Sequence, residues 1–306
     1  MPVVLLRCLL PAAVLGLAAA CAGAAPVLQR VDMPPLPSGV VLRAHWLPAQ
    51  SEGRSPAVLA LHGCGGLYAK GGGLAERYRE TADRLHAAGY AVLMLDSFGS
   101  RGLREICQTR YRERSVDVAQ RVLDARAALA WLAAQPQVDA RRIGVLGWSN
   151  GATTTLNLLE QRRIHPEPGE PAIAGAAVFY PGCAPLAKRQ AALETAPLLM
   201  QLGALDDWTP AQPCVDFARS LQVQSGSDVS VRVYEGSYHG FDGTAPVRLR
   251  TDVPNGTSAQ GVHQGGNPEA RAKSLAALDE FWSRVLVARE PSLVPSPRAE
   301  LAATTP

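Results

Sequence analysis

The sequence lacks an excess of charge of either sign, the spacings typical of metal sites and any internal repeat. Its 306 residues include 30 basic and 27 acidic side chains, and this balance indicates no nucleic-acid or other polyanionic partner. It has no C-x-x-C pair and no His-x-x-x-His cluster, so we expect no metal site. What it has is 47% hydrophobic residues, the composition of an ordinary globular enzyme.

The N-terminal segment has the three-part pattern of a secretory signal peptide. A single charge, Arg7, precedes an apolar run over residues 8–20 and then small residues, so we predict a signal peptide over residues 1–24. The apolar run is shorter than the ~20 residues that span a membrane, and it contains Pro11. We therefore expect no membrane span and a secreted or periplasmic protein. A loosely matched lipoprotein box that ends at Cys21 leaves open a lipid anchor there.

Downstream of the predicted leader, apolar runs with the length of buried strands alternate with helical patterns. The runs lie at residues 40–46, 56–61, 90–96, 143–146, 172–180, 196–203 and 229–234, and the helical patterns at 74–88, 115–134, 210–224 and 267–287. Such alternation predicts an α/β domain with a mostly parallel sheet covered on both faces. We place this domain at residues 25–288, without an inserted lid, and a Pro-rich disordered tail at 289–306.

Four cysteines remain after the predicted cleavage, and in an exported protein an even set suggests two disulfides, for which three pairings exist. Cys183 follows one predicted strand, and Cys214 begins the helix after the next strand. We expect these two neighbours to pair, which leaves Cys64 with Cys107.

The central motif is Gly147-Trp148-Ser149-Asn150-Gly151, between an apolar run and a helical pattern. This order predicts a strand, a sharp turn and a helix. A serine on such a turn has its hydroxyl lifted off the end of the sheet, and the flanking glycines let the two backbones approach closely. Ser149 is therefore the candidate nucleophile.

Loops that follow later strands supply what a nucleophilic serine needs. Asp206 and Asp207 follow the 196–203 run, and His239 follows the last strand. The order serine, acid, histidine is that of α/β-hydrolases, in which a neutral imidazole accepts the serine proton and a carboxylate fixes its tautomer. Two backbone N–H groups are expected to form an oxyanion hole, one from Asn150 and one from Cys64 in a glycine-rich loop.

Together these motifs resemble the dienelactone hydrolase family of α/β-hydrolases, over roughly residues 40–286. The resemblance implies an α/β-hydrolase fold without a large cap and hydrolysis of small esters or lactones, and its spacing selects Asp206 as the acid. The founding members use a cysteine nucleophile restrained by a glutamate, and here those positions hold Ser149 and Gly63. The motifs are His62-Gly63-Cys64-Gly65-Gly66, the Gly147–Gly151 stretch, Gly203-Ala204-Leu205-Asp206-Asp207-Trp208-Thr209-Pro210 and Tyr238-His239-Gly240-Phe241.

The expected function is hydrolysis of a small-molecule carboxylic ester or lactone through an acyl-serine intermediate, without a cofactor. A peptidase or acyltransferase on the same fold, or an inactive binding protein, remains as an alternative, and the oligomeric state is not predicted. We expect Trp148, Trp208, Tyr238 and Phe241 to wall the substrate site. Arg101 lies near the position of the family's carboxylate-binding arginine, so it is a candidate for binding an anionic group.

Overall fold

The computed structural model describes residues 28–51 and 53–287. The predicted signal peptide at 1–24, the Cys21 lipidation site and the tail at 289–306 lie outside the described residues. Within the described ranges, no helix has both the length and the apolar character needed to cross a membrane.

Strands and helices alternate along the described chain. The strands are β1 (Gln29–Asp32), β2 (Arg43–Leu47), β3 (Ser55–Leu61), β4 (Ala91–Asp96), β5 (Val138–Trp148), β6 (Ile173–Phe179), β7 (Leu198–Gly203), β8 (Val229–Tyr234), β9 (Arg248–Arg250) and β10 (Val262–Gln264). The helices are α1 (Glu76–Ala87), α2 (Val118–Ala133), α3 (Asn150–Ile164), α4 (Ala184–Lys188), α5 (Ala211–Ser225) and α6 (Pro268–Leu286).

Eight strands form one sheet in the order β1-β2-β4-β3-β5-β6-β7-β8. Strands β3 to β8 pair in parallel, whereas β1 and β2 join the β4 edge antiparallel. The carboxyl ends of the parallel strands therefore meet at one edge, where ligands bind in open α/β sheets. This confirms the mostly parallel sheet expected from the sequence.

The parallel strands are buried because helices cover both faces of the sheet. All six residues of β4 and all six of β7 are buried, which explains why these strands read as continuous apolar runs. One face packs against α2, α3 and α5, and the other against α1 and α6. The loops at the carboxyl edge of the sheet therefore begin from buried, well-packed strands.

Features that the sequence pattern did not indicate include the short helix α4, the 3-10 helices Gly99–Arg101 and Tyr111–Glu113, and a β9–β10 hairpin within the glycine-rich stretch after β8. The hairpin matters for the site. Gly265 N donates to the His239 carbonyl at 3.0 Å, and Gln264 forms an isolated parallel bridge with His239. The hairpin therefore holds the loop that carries His239.

Candidate active site

Ser149 lies on the tight turn between β5 and α3 in a strained backbone conformation. Its φ of 51° and ψ of −115° are rare for a residue with a side chain. The two neighbouring glycines are sterically required. A Cβ on Gly147 would lie 2.6 Å from the Gly151 carbonyl oxygen, and one on Gly151 would lie 2.1 Å from the Leu61 carbonyl oxygen. The turn therefore has the form of the nucleophile elbow.

His239 lies between Ser149 and Asp206. Its Nε2 is 2.9 Å from Ser149 Oγ, and its Nδ1 is 2.9 Å from Asp206 Oδ2. His239 and Asp206 are buried, at 2% and 5% exposure, while Ser149 is partly exposed. A carboxylate accepts the Nδ1–H, which leaves the Nε2 lone pair free to accept the serine proton.

Backbone and hydroxyl donors fix the Asp206 carboxylate. Its Oδ1 accepts from Trp208 N at 2.9 Å and Thr209 N at 2.8 Å, and Thr209 Oγ1 donates to its Oδ2 at 3.1 Å. Asp207 points elsewhere, with its Oδ2 2.7 Å from His263 Nδ1. The structure thus brings Asp206, and not Asp207, to His239.

The buried side chain of Arg121 links the two segments that carry the expected oxyanion donors, the backbone N–H groups of Asn150 and Cys64. Arg121, at 1% exposure, donates from Nη1 to Asn150 Oδ1 at 2.6 Å and from Nη2 to the His62 carbonyl at 2.8 Å. Burial, opposed by the Asp124 charge, lowers the pKa of Arg121 to about 10. The guanidinium therefore ties the elbow to the glycine-rich loop in which Cys64 lies.

The glycine-rich loop is also held from its other side. Gly63 N donates to Tyr78 Oη at 2.9 Å, and the Cys64 carbonyl accepts from Ile106 N at 2.8 Å. The structure contains the disulfides Cys64–Cys107 and Cys183–Cys214, the two pairs expected from the sequence.

His62, at the start of the same loop, is buried and neutral. Its Nδ1 lies 2.8 Å from the Gly63 carbonyl, and Ser97 N donates to its Nε2 at 3.4 Å. Burial first, and then the nearby Arg121 charge, lowers the pKa of His62 well below its usual value.

Two cavities meet at Ser149. The larger has a volume of about 410 Å³ and lies between the start of α3, the segment around Cys183 and the loop before α5. The smaller has a volume of about 100 Å³ and is lined by His239, Tyr78, Tyr180 and Trp148. Cys64, Ser149 and Trp208 line both, so both cavities open at Ser149.

Of the four aromatic side chains expected to line the substrate site, the two tryptophans do so. Trp208 borders both cavities and packs against His239 with ring centroids 4.7 Å apart, and Trp148 lines the smaller cavity. Phe241 is fully buried and packs on Tyr234 in the core. Tyr238 packs on His263 and lines neither cavity. The expectation was therefore wrong for Phe241 and Tyr238, because core and loop packing take up both rings.

The expectation for Arg101 was also wrong. Its Nη1 and Nη2 donate to the two Asp124 carboxylate oxygens at 2.9 and 2.8 Å, so its charge is already paired. Arg114 lines the larger cavity instead. It donates to the Thr109 carbonyl and lies over the Tyr111 ring, and it forms no ion pair with any described residue. Burial lowers the pKa of Arg114.

The sequence reasoning missed a buried polar cluster behind the site. Asp242 accepts from Trp148 Nε1 at 3.0 Å and Tyr180 Oη at 2.7 Å, and its Oδ2 lies 2.9 Å from Arg77 Nε. Burial, more than the opposing effect of Arg77, raises the pKa of Tyr180 well above its usual value. One signal pointed to the cluster, since Asp242 stands three residues after His239 in a loop that follows a strand.

A model of the dienelactone hydrolase family matches residues 43–285. An uncharacterized protein of Mycobacterium tuberculosis is 31% identical over 186 residues, which is 56% of this chain and 60% of that protein. The chain therefore matches less than two thirds of the length of this curated relative. Within the described residues, no group of three or more metal-ligating side chains is found.

Solved structures resemble this one in fold. A candidate dienelactone hydrolase from Klebsiella pneumoniae subsp. pneumoniae superposes with a TM-score of 0.63 at 18% identity, over 85% of this chain and 100% of that chain. A promiscuous dienelactone hydrolase-like phosphotriesterase from metagenomic libraries gives 0.62 at 19% identity, over 85% and 99%. These likenesses establish an α/β-hydrolase fold.

Proposed function

Because this chain belongs to the dienelactone hydrolase family, we propose that it hydrolyses a small carboxylic ester or lactone through an acyl-serine intermediate. The observation that carries the proposal is the position of His239, whose Nε2 and Nδ1 lie 2.9 Å from Ser149 Oγ and 2.9 Å from Asp206 Oδ2. Such a relay needs no metal or organic cofactor.

In the first half of the reaction, Ser149 Oγ attacks the ester carbonyl while His239 Nε2 takes the hydroxyl proton. Asp206 stabilises the imidazolium, which then gives the proton to the leaving alkoxide as the bond to the acyl carbon breaks. In the second half, a water molecule attacks the acyl carbon while His239 Nε2 takes its proton. The bond between the acyl carbon and Ser149 Oγ then breaks, Nε2 gives the proton to Oγ, and the acid leaves.

The negative charge on the carbonyl oxygen needs donors that are in place before the reaction begins. We assign this role to the backbone N–H groups of Cys64 and Asn150. Arg121 supports them, because it hydrogen-bonds to the Asn150 side chain and to the His62 carbonyl and so limits how far the two segments separate. Removing one such donor in other serine hydrolases costs on the order of 10²–10³ in turnover.

A serine-directed fluorophosphonate probe tests whether the site is active. We expect the purified protein to be labelled and the Ser149→Ala variant, checked by circular dichroism for its fold, to remain unlabelled. Absence of labelling in the folded parent protein would instead favour a binding protein on a hydrolase scaffold.

Substrate panels then separate the hydrolytic reactions. We expect turnover of ethyl acetate and of γ-butyrolactone, and none of peptide anilides. Cleavage of the anilides alone would favour a peptidase. Product formation that depends on an added alcohol acceptor would favour an acyltransferase.

We also propose that the protein acts outside the cytoplasm as one domain over residues 25–288. The two disulfides support this, because such bonds persist in oxidising compartments. Mass spectrometry of the protein exported by a bacterial host tests the proposal. A mature chain that begins at Ala25 is the expected result, whereas a chain that begins at a lipidated Cys21 would establish the anchor.

A further inference from the structure

The two cavities at Ser149 differ in size by about fourfold, and they differ in their access to His239. The smaller, of about 100 Å³, is lined by His239, Ser149 and Cys64. The larger, of about 410 Å³, is lined by Ser149, Cys64 and Asn150 but not by His239. This asymmetry decides which half of an ester each cavity holds.

During acylation, the leaving alkoxide must accept its proton from His239 Nε2. A proton donor works within about 2.6–3.2 Å of its acceptor, so the alcohol half has to leave Ser149 on the side of His239. The acyl half extends in the other direction, past Asn150 at the start of α3. The cavity that contains His239 is therefore the alcohol site, and it later admits the hydrolytic water.

Resting on the proposed acyl-serine mechanism, we propose that this enzyme is selective for esters of a short alcohol, of methanol or ethanol size, with a larger acyl group. The alcohol would occupy the smaller cavity and the acyl group the larger one. The selectivity thus concerns which side of the ester bond carries the bulk, and not the overall size of the substrate.

The walls of the smaller cavity are fixed from behind. Trp148 and Tyr180 both donate to the buried Asp242 carboxylate, which also pairs with Arg77 at 2.9 Å. Tyr180 in addition packs against His239, with ring centroids 4.5 Å apart. These aromatic rings cannot move aside for a bulky alcohol without breaking their hydrogen bonds to Asp242 and leaving buried polar groups unpaired.

The larger cavity has a different lining. Most of the surface that lines it is apolar, and Val118, Pro185, Pro210 and Pro213 contribute to that surface, although Arg114 lines the cavity as well. Apolar surface favours a hydrocarbon acyl chain or ring, because binding removes that surface from water.

Two isomeric esters, which have the same atomic composition, test the assignment of the smaller cavity to the alcohol and of the larger cavity to the acyl group. Ethyl phenylacetate carries the ring on its acyl side, and 2-phenylethyl acetate carries it on its alcohol side. We expect kcat/KM for ethyl phenylacetate to be higher by at least about tenfold, within the range that one misplaced group produces in an apolar pocket. Equal or reversed values would overturn the assignment.

Ethyl acetate, which is small on both sides, separates this inference from the proposed function. If ethyl acetate is hydrolysed and Ser149 is labelled by the fluorophosphonate, a reversed isomer preference overturns the cavity assignment alone. If neither occurs, the proposed function fails, and this inference fails with it.

Variants that resize each cavity give a second readout. Gln264 lines the smaller cavity, and its side chain accepts from Arg250 at 2.9 Å. We expect Gln264→Ala to raise the relative kcat/KM for 2-phenylethyl acetate at least threefold. Val118→Phe, in the larger cavity, should lower the relative value for ethyl phenylacetate. Shifts in the opposite directions, in variants with unchanged circular dichroism, would contradict the assignment.

Discussion

Removing the Cys64–Cys107 disulfide should lower both stability and turnover, and the two effects have separate physical sources. The bond joins residues 43 positions apart in the chain. By the loop-entropy relation, closing such a loop in the unfolded chain stabilises the folded state by about 4 kcal/mol. For Cys183–Cys214, with a separation of 31, the same relation gives about 3.7 kcal/mol. The double variants C64A/C107A and C183A/C214A should therefore lose nearly equal free energies of unfolding.

Turnover should distinguish the two variants. Cys64 N–H is a proposed oxyanion donor, and without the disulfide the loop keeps the Ile106 hydrogen bond to the Cys64 carbonyl. We expect kcat for ethyl acetate to fall by roughly tenfold in C64A/C107A, less than the 10²–10³ for complete loss of a donor. In C183A/C214A, kcat for ethyl acetate should change less than threefold, because neither cysteine supplies a proposed oxyanion donor or belongs to the Ser149, His239 and Asp206 set.

Urea unfolding followed by tryptophan fluorescence measures the first effect, by linear extrapolation to water. Steady-state kinetics on the same samples measures the second. If C64A/C107A loses stability but keeps its kcat, the disulfide does not hold the oxyanion donor. If the two double variants differ by more than about 2 kcal/mol, loop entropy does not dominate their stability.

Three further predictions concern ionisable groups. Asp206→Asn should reduce kcat by about 10⁴, as loss of the orienting carboxylate does in related triads, whereas Asp207→Asn should retain most of the parent kcat. Steady-state kinetics that ranked the two variants the other way would assign the role of the acid to Asp207. Arg114→Gln should raise KM for a carboxylate-bearing lactone more than it raises KM for ethyl acetate. Arg101→Gln should leave the ratio of these two KM values unchanged, because Arg101 already pairs with Asp124. Since the folded-state pKa of His62 is lowered, the unfolded chain binds the extra proton first. The free energy of unfolding should therefore fall as pH drops below about 6.5, and His62→Gln should flatten that dependence in urea titrations at several pH values.

The sequence predicted the sheet and its helices because each depends on local patterns. Continuous apolar runs marked β4 and β7, whose residues are all buried. The glycines at 147 and 151 predicted the turn, since their spacing reflects a backbone approach that a Cβ would block. The catalytic roles of Ser149, Asp206 and His239 stay predictions, although the structure brings their side chains together.

What the sequence could not predict depends on partners far away in the chain. Arg101 looked like a free cation until the fold placed Asp124, on α2, within 2.9 Å of its guanidinium. Phe241 looked like a wall residue because it follows His239, but it packs on Tyr234 in the core. The sequence does not indicate the β9–β10 hairpin, because its strands are only three residues long and lie in a glycine-rich stretch.

The strained turn at Ser149 places the needs of catalysis in conflict with the stability of the folded protein. A non-glycine residue in such a conformation typically costs on the order of 1–3 kcal/mol, and glycine would adopt φ 51° and ψ −115° with little steric penalty. Laboratory evolution that selects only for resistance to heat or proteases would therefore tend to enrich glycine at this position and discard the nucleophile. Any attempt to make this protein more robust needs a selection that also requires turnover, because the most durable version of the elbow is an inactive one.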